Sequence, residues 1–309
     1  VYHLAGRSRS VQTSDLATAN VEGTRRLLDA CLQLPTPPVV LLVSSLAAMG
    51  CNRPENGDRP FVEDDPCRPI SDYGRSKRDA ERLARQYADQ IPISIVRPPI
   101  VLGPHDRSGF ILFQTIQHTG CHFVPGWLRE RKFSVIHVDD LIDAMVRIVA
   151  AGERVTSDVD GHGVYFASSG QSPTFRDLGL MVGRAMGRRF TMIVRVADVL
   201  IWSVATVNEL LGRLTGKPFY LDRDKAREGT SGSWVCSHEK ITRQLGYRPA
   251  ADFSQRLAET VETVRRTAGS VAIAVIGDEP FDLEEILDFA APGDFSVPDD
   301  FAATGYQGP

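Results

Sequence analysis

No stretch of this 309-residue chain approaches the ~20 consecutive apolar residues that a bilayer-spanning helix requires. An excess of positive charge is missing too. The net charge is −4, which removes the electrostatic case for a nucleic-acid partner. Cysteine is sparse: Cys31, Cys51, Cys67, Cys121 and Cys236 are odd in number, scattered and without metal-ligand spacing. They make neither a disulfide framework nor a metal site, and as reduced thiols they imply a cytoplasmic protein. The opening residues carry no signal-peptide pattern, and no internal repeat is present. What the chain does contain is ordinary for a globular protein, 42% apolar and 24% charged residues, enough for one large domain or two lobes.

Apolar patterning alternates between two periods. Val1–Gly6 reads as a short buried strand, and Gln12–Leu34 as a helix that Pro35 stops. Val39–Val43 is a continuous apolar run of strand length, as in a parallel strand covered on both faces, and it ends in Ser44-Ser45. A second helix follows from Ser71 to Gln90, then a strand at Ile93–Val96 leading into Arg97-Pro98-Pro99. Strand, helix, strand, helix, strand with short links predicts βαβ units, a parallel sheet, and ligand binding at the carboxyl ends of the strands. Beyond Gly103, helices are expected at Phe110–His118, Thr174–Met186, Ala197–Leu214 and Ser237–Leu245, and Phe253–Thr267 closes the compact part. Short strands are expected at Phe133–Val138 and Val164–Ala167. Asp139-Asp140 reads as the cap of a helix reaching Ala151. From Gly277 onward the only charges are acidic, and residues 269–309 read as a disordered tail with a short candidate interaction segment at Phe281–Leu287.

Within the second helix, Tyr73 and Lys77 lie one turn apart on one face. An ammonium beside a phenol favours the phenolate, and a tyrosine so tuned exchanges protons with an alcohol or a carbonyl. Read alone, a Tyr and Lys at this spacing are equally at home on a solvated helix. Ser45 alone could be any strand-end serine, Asn20 alone a polar helix-face residue. His3 and His137 read as structural histidines, Arg97 as half of a structural ion pair, Trp234 as core. Arg129, Arg131 and Lys132 read as a solvated charge run.

Together these segments resemble the extended short-chain dehydrogenase/reductase family, also called the NAD-dependent epimerase/dehydratase family. Asn20-Val21-Glu22-Gly23-Thr24 resembles its N-x-x-G-T segment. Ser44 to Gly50 resembles its S-S-x-x-x-Y-G, with Met49 where tyrosine is more usual. Tyr73-Gly74-Arg75-Ser76-Lys77 is its Y-G-x-S-K, Arg97-Pro98-Pro99 with Gly103-Pro104 its R-P-x-x-x-x-G-P, and His137-Val138-Asp139-Asp140 its H-V-D-D. The resemblance covers Val1 to Thr267 and lies closest to hydroxysteroid dehydrogenase-like and dihydroflavonol reductase-like members. It implies an α/β Rossmann-like parallel sheet with a smaller, mostly helical carboxyl lobe, and NAD or NADP as cofactor. Residues 1–168 would form the nucleotide-binding domain, with a substrate-lobe insertion at about 105–132, and 169–268 the substrate lobe. The catalytic set implied is Tyr73, Lys77, Ser45 and Asn20: Tyr73 as acid/base, Lys77 lowering its pKa, Ser45 orienting the substrate oxygen, Asn20 holding a proton-relay water. Ala5, Gly6, Ser44, Tyr73, Lys77 and Pro98 would meet the cofactor, with no metal. A homodimer through the Asn20 and Tyr73 helices is also implied; neither nucleic acid nor membrane is expected as a partner.

The family's glycine-rich G-x-x-G-x-x-G is absent: Gly161-His162-Gly163 is not followed by the required glycine or helix. The expectation is therefore a sheet lacking its first strands, with Val1–Ala5 as an exposed apolar edge and weak dinucleotide binding. Three functions stay open: an NAD(P)-dependent oxidoreductase interconverting a hydroxyl and a ketone on a small molecule, a nucleotide-sugar epimerase or dehydratase, and a degenerate, non-catalytic scaffold.

Overall fold

A computed structural model describes residues 1–52, 59–104, 107–126, 130–157 and 159–262. The acidic tail, its Phe281–Leu287 segment and Arg129 lie outside these. The central sheet is parallel, in the order β1 (Tyr2–His3), β2 (Val40–Val43), β3 (Ile93–Arg97), β7 (Val164–Phe166). Val40 pairs with Ile93 and Val43 with Val96, in the register that βαβ crossovers impose.

The unbroken apolar run in β2 has its cause in two covered faces. Val40 and Leu42 pack with Leu28, Cys31 and Ala84 from α2 (Gly23–Leu32) and α3 (Asp72–Arg85). Leu41, between them, packs with Leu141, Met145 and Ile148 from α5 (Val138–Ala151) and with Ile241 from α9 (Glu239–Leu245). Strand alternation thus sends neighbouring residues into different cores, leaving no position for a polar side chain. Among the described residues β1 is one edge of this sheet, and Val1, Tyr2 and Leu4 are exposed there.

The first helix is not continuous. α1 (Thr13–Ala17) and α2 are joined by a π turn over Thr18–Glu22 that contains Asn20. Such insertions shift one residue out of the helical register and often occur at functional sites. A second core, in the carboxyl lobe, joins α4 (Arg107–Thr119) and α6 (Phe175–Ala185) to a helix beginning at 253, through Phe113, Ile116, Leu178, Val182, Phe253 and Leu257. The lobe also holds a pair of strands that hydrophobic patterning did not reveal, β5 (Cys121–Pro125) and β8 (Met192–Val196), running parallel. A further short pair joins β4 (Ile100–Leu102) to β6 (Val135–His137). The cap of α5 differs from expectation: His137 caps it, its Nδ1 accepting from Asp139 N at 3.3 Å, while Asp139 and Asp140 occupy the first turn. A carboxylate there still complements the helix dipole.

Three buried histidines, His3, His122 and His137, are held below their ordinary pKa of 6.5, by burial first of all. The unfolded chain binds protons at a pH where the folded one does not, so stability rises with pH across that window and falls as pH drops below 6.5. The expected loss approaches about 1.4 kcal/mol per pH unit for each such group. The melting temperature should therefore fall between pH 7.5 and pH 5, and less steeply in His122→Gln; equal slopes for the two proteins would contradict this cause.

Candidate active site

β1, β2 and β3 end side by side, and the residues just past their carboxyl ends line a cavity of about 270 Å³: Gly6, Arg7 and Ser8 from the first, Ser44 and Ser45 from the second, Pro98 and Pro99 from the third. Tyr73 and Lys77 enter it from α3. That helix starts where it does because the Ser71 side chain accepts from Gly74 N at 3.0 Å, capping its first turn. Gly74 is required by contact rather than by torsion: a Cβ there would lie 2.3 Å from the Ala47 carbonyl oxygen. This close approach sets α3 directly on the Leu46–Ala48 turn and brings Tyr73 to Ser45.

Most polar atoms of the site are already committed. Lys77 is buried, and its Nζ donates to Val43 O at 3.0 Å. Burial lowers its pKa, with the Glu81 carboxylate opposing. The Asn20 amide clamps the strand-end loop: Nδ2 donates to Arg7 O at 2.9 Å and to Ser76 Oγ at 2.8 Å, and Oδ1 accepts from Arg7 N at 2.8 Å. Both of its N–H donors are therefore used, which leaves one lone pair on Oδ1 for any relay water. The Ser44 hydroxyl is bonded to Glu81. Glu81 in turn receives Arg97 bidentately, Nε to Oε1 at 2.9 Å and Nη2 to Oε2 at 2.6 Å. Met49 has a place here as well: its thioether accepts from Arg97 Nη1 at 3.0 Å.

Tyr73 behaves differently from the expectation of a phenol made acidic by Lys77. Burial pushes its pKa above the ordinary 10, and the hydrogen bond with Ser45 and the Lys225 charge only partly offset this. The cation acting on the phenol in this structure is Lys225, not Lys77. It arrives on α8 (Arg223–Ser231), whose Asp224 accepts from the backbone N–H of Asp72 at 2.9 Å and of Tyr73 at 3.2 Å, fixing α8 on the start of α3. Lys225 Nζ donates to Glu228 at 2.7 Å, while the other Glu228 oxygen, Oε1, is buried without a hydrogen-bond partner. The sequence signal for these residues was the charged run Leu221–Glu228, which has no chemistry until α8 is docked.

Lys225 and Glu228 line a second cavity of about 360 Å³, with Leu46, Ile100, Phe133, Phe175, Leu221 and Trp234. Ser45 and Tyr73 belong to the walls of both cavities, so the two meet at that pair. Trp234 is buried as expected, but as pocket wall, with its Nε1 donating to Glu228 O at 3.0 Å. Of the residues expected to meet a cofactor, Gly6, Ser44, Tyr73, Lys77 and Pro98 line the first cavity and Ala5 does not. Arg131 is not a solvated charge. It is buried and bonded to Pro125 O, Thr230 O and Asp198, holding β5, α8 and α7 (Asp198–Thr215) together. One cluster has metal-ligand chemistry among the described residues, His137, Asp139 and Glu259 within 4.8 Å, but both carboxylates are exposed and pair with Arg256.

A parallel sheet with a cavity beyond its carboxyl ends is the scaffold of nucleotide-binding α/β proteins. The chain belongs to the NAD-dependent epimerase/dehydratase family, whose model matches residues 1–159. It is 27% identical over 208 residues to UDP-glucose 4-epimerase of Vibrio cholerae, covering 66% of this chain and 56% of that one. It is 26% identical over 238 residues to ceramide reductase of Caulobacter vibrioides, covering 76% of this chain and 65% of that one. The chain thus spans less than two thirds of either relative. In fold it is similar to the dTDP-glucose 4,6-dehydratase DesIV of Streptomyces venezuelae, solved with NAD bound, at a TM-score of 0.66 and 22% identity over 87% of this chain and 73% of that chain.

The first cavity suits the nicotinamide end of such a dinucleotide. Of the Lys77 ammonium's three donors only one meets a partner among the described residues, Val43 O, and a Cβ at Gly6 would sit 2.8 Å from Asn20 Oδ1 and 3.2 Å from Lys77 Nζ. For the pyrophosphate end, no glycine-rich strand-to-helix turn is present among the described residues.

Proposed function

We propose that this chain carries the catalytic residues of an NAD(P)-dependent oxidoreductase that interconverts a hydroxyl and a ketone on a largely apolar molecule. The observation that carries the reading is the meeting of two cavities at Tyr73 and Ser45, one holding Lys77, Ser44 and the Gly6–Ser8 segment at the strand ends, the other walled by Leu46, Ile100, Phe133, Phe175 and Trp234. When bound, the dinucleotide supplies or accepts the hydride. Tyr73 gives its proton to the developing alkoxide, or takes it in the reverse direction. Ser45, beside Tyr73 in the walls of both cavities, orients the same substrate oxygen. Lys77 holds the cofactor side of the cavity, and Asn20 positions the Gly6–Arg7 loop. The name of the Caulobacter relative, a ceramide reductase, supports an apolar substrate.

A second reading is a nucleotide-sugar epimerase or dehydratase, favoured by the names of the Vibrio relative and of DesIV. The same residues would serve it, with the hydride returned to the sugar. Absorbance at 340 nm separates the two. Net oxidation of NAD(P)H with hydrophobic ketones, and none with UDP- or dTDP-sugars, supports the first reading. Altered sugar with no net change in absorbance establishes the second and overturns the first.

Glu228 is the one carboxylate among the residues lining the apolar cavity, which favours a substrate with a second donor, a hydroxyl or amide N–H. Glu228→Gln should raise KM by about tenfold with little change in kcat, since a charged hydrogen bond made equally in ground and transition states is lost. Steady-state kinetics with matched ketones bearing and lacking that donor checks this; equal effects on both would contradict it.

A further inference from the structure

α7 is the least covered helix of the carboxyl lobe. Leu200, Val204, Val207, Leu211 and Leu214 follow one another at gaps of four and three residues, which aligns them on one stripe. All five are exposed, Leu214 by 76%, and Val199 and Leu210 widen the stripe at 77% and 60%. The opposite face is the packed one, where Ala205 and Gly212 are buried. The helix is about 27 Å long at 1.5 Å per residue, so the stripe is continuous over a length that single exposed residues do not explain. The chain on either side adds exposed Phe190 and Met192 before it and Phe219 after it.

The charge along this part of the chain is mainly positive. Between residues 184 and 217 there are six cations and two acids, in a chain whose net charge is −4. Both acids are paired, Asp198 with Arg131 at 3.4 Å and Glu209 with Arg213 at 2.7 Å, and of the remaining cations Arg195 pairs with Glu130 at 3.2 Å. Arg189, ahead of β8, and Lys217, just past α7, are exposed, with no ion-pair partner among the described residues.

We infer that this face of α7 lies on the surface of an anionic lipid bilayer. The apolar stripe enters the boundary between headgroups and acyl chains while the flanking cations meet lipid phosphates. A second copy of the same face would bring two net-positive segments together, whereas an anionic bilayer complements both the stripe and its charge. No described helix is long and apolar enough to cross a membrane. A helix lying in the interface plane needs only the stripe. The chain leaving α7 builds part of the apolar pocket through Tyr220 and Leu221, so a bilayer beneath α7 would place lipid next to the pocket's rim. That last link rests on the reading of the pocket given above; the bilayer contact does not.

Vesicle flotation tests the contact without any substrate. The protein should float with vesicles of equal phosphatidylglycerol and phosphatidylcholine, and less so as salt is raised. Val207→Asp/Leu211→Asp should weaken flotation by about tenfold, and Arg189→Glu/Lys217→Glu by a similar factor, without lowering the melting temperature, because all four side chains are already in solvent. Absence of flotation would overturn the inference, and so would equal flotation with pure phosphatidylcholine. A stable dimer that Val207→Asp/Leu211→Asp converts to monomer, with no vesicle binding, would assign the face to a second copy instead. A protein that floats yet leaves hydrophobic ketones unreduced would keep the bilayer contact and sink the pocket reading alone.

Discussion

Tyr73→Phe lowers kcat by about 10²–10⁴-fold, the range expected when a positioned proton donor is removed. The phenyl ring keeps its place between the two cavities, so KM and NAD(P)H affinity, read by cofactor fluorescence, should change little. The environment of Tyr73 also sets a direction. Burial raises the phenol above its ordinary value, so at neutral pH the hydroxyl is protonated and ready to donate to a carbonyl. Reduction should therefore be nearly independent of pH from 6 to 8, while alcohol oxidation, which needs the phenolate, should accelerate as pH rises. Lys225→Met removes the cation that partly offsets burial and should move the oxidative limb to higher pH. An unchanged limb would assign Lys225 to packing, and a Tyr73→Phe protein with normal kcat would remove Tyr73 from the chemistry.

Arg97→Ala should cost about 3–5 kcal/mol of stability, since it leaves the Glu81 carboxylate buried without its partner. Both side chains are 3% exposed, and their bidentate contact also carries the Ser44 hydroxyl and the sulfur atoms of Met49 and Cys67. For a chain of this size the loss corresponds to a fall of roughly 10 °C in melting temperature. The paired replacement Arg97→Met/Glu81→Leu removes both charges and should recover most of it. The double-mutant cycle, measured by denaturant unfolding, reads the coupling directly. If the single and double variants melt alike, the network contributes packing and not electrostatics. Because Ser44, bonded to Glu81, lines the first cavity, proposed above to take the nicotinamide, Arg97→Ala should also raise KM for the dinucleotide.

Much of the sheet was legible because its causes are local. β2 and β3 are short apolar runs flanked by turn residues, and a run without alternation means two covered faces wherever it lies. Tyr73 and Lys77 were legible for the same reason: a spacing of four on a capped helix fixes one face before any tertiary contact forms. The Arg97 pairing was foreseeable from the rarity of unpaired buried arginine, though Glu81 as its partner was not. The α5 cap was misassigned by two or three residues because histidine, like aspartate, offers an acceptor to a helix N-terminus, and sequence order does not choose between them.

The apolar runs, the helix spacings and the ordered motifs of this chain by themselves determined a parallel α/β sheet, the edge on which its site lies, and the Tyr73, Lys77 and Ser45 that gather there. Only the tertiary structure decided that Lys225 and Glu228, some 150 residues further along the chain, stand beside Tyr73. The same holds for the strand pair β5 and β8, for the π turn that sets Asn20 against Arg7, and for the bare outer face of α7. Periodicity says that a residue has an inner or an outer face, but the partner that covers that face is chosen by contacts between segments far apart in sequence, whose cost and geometry no local pattern encodes.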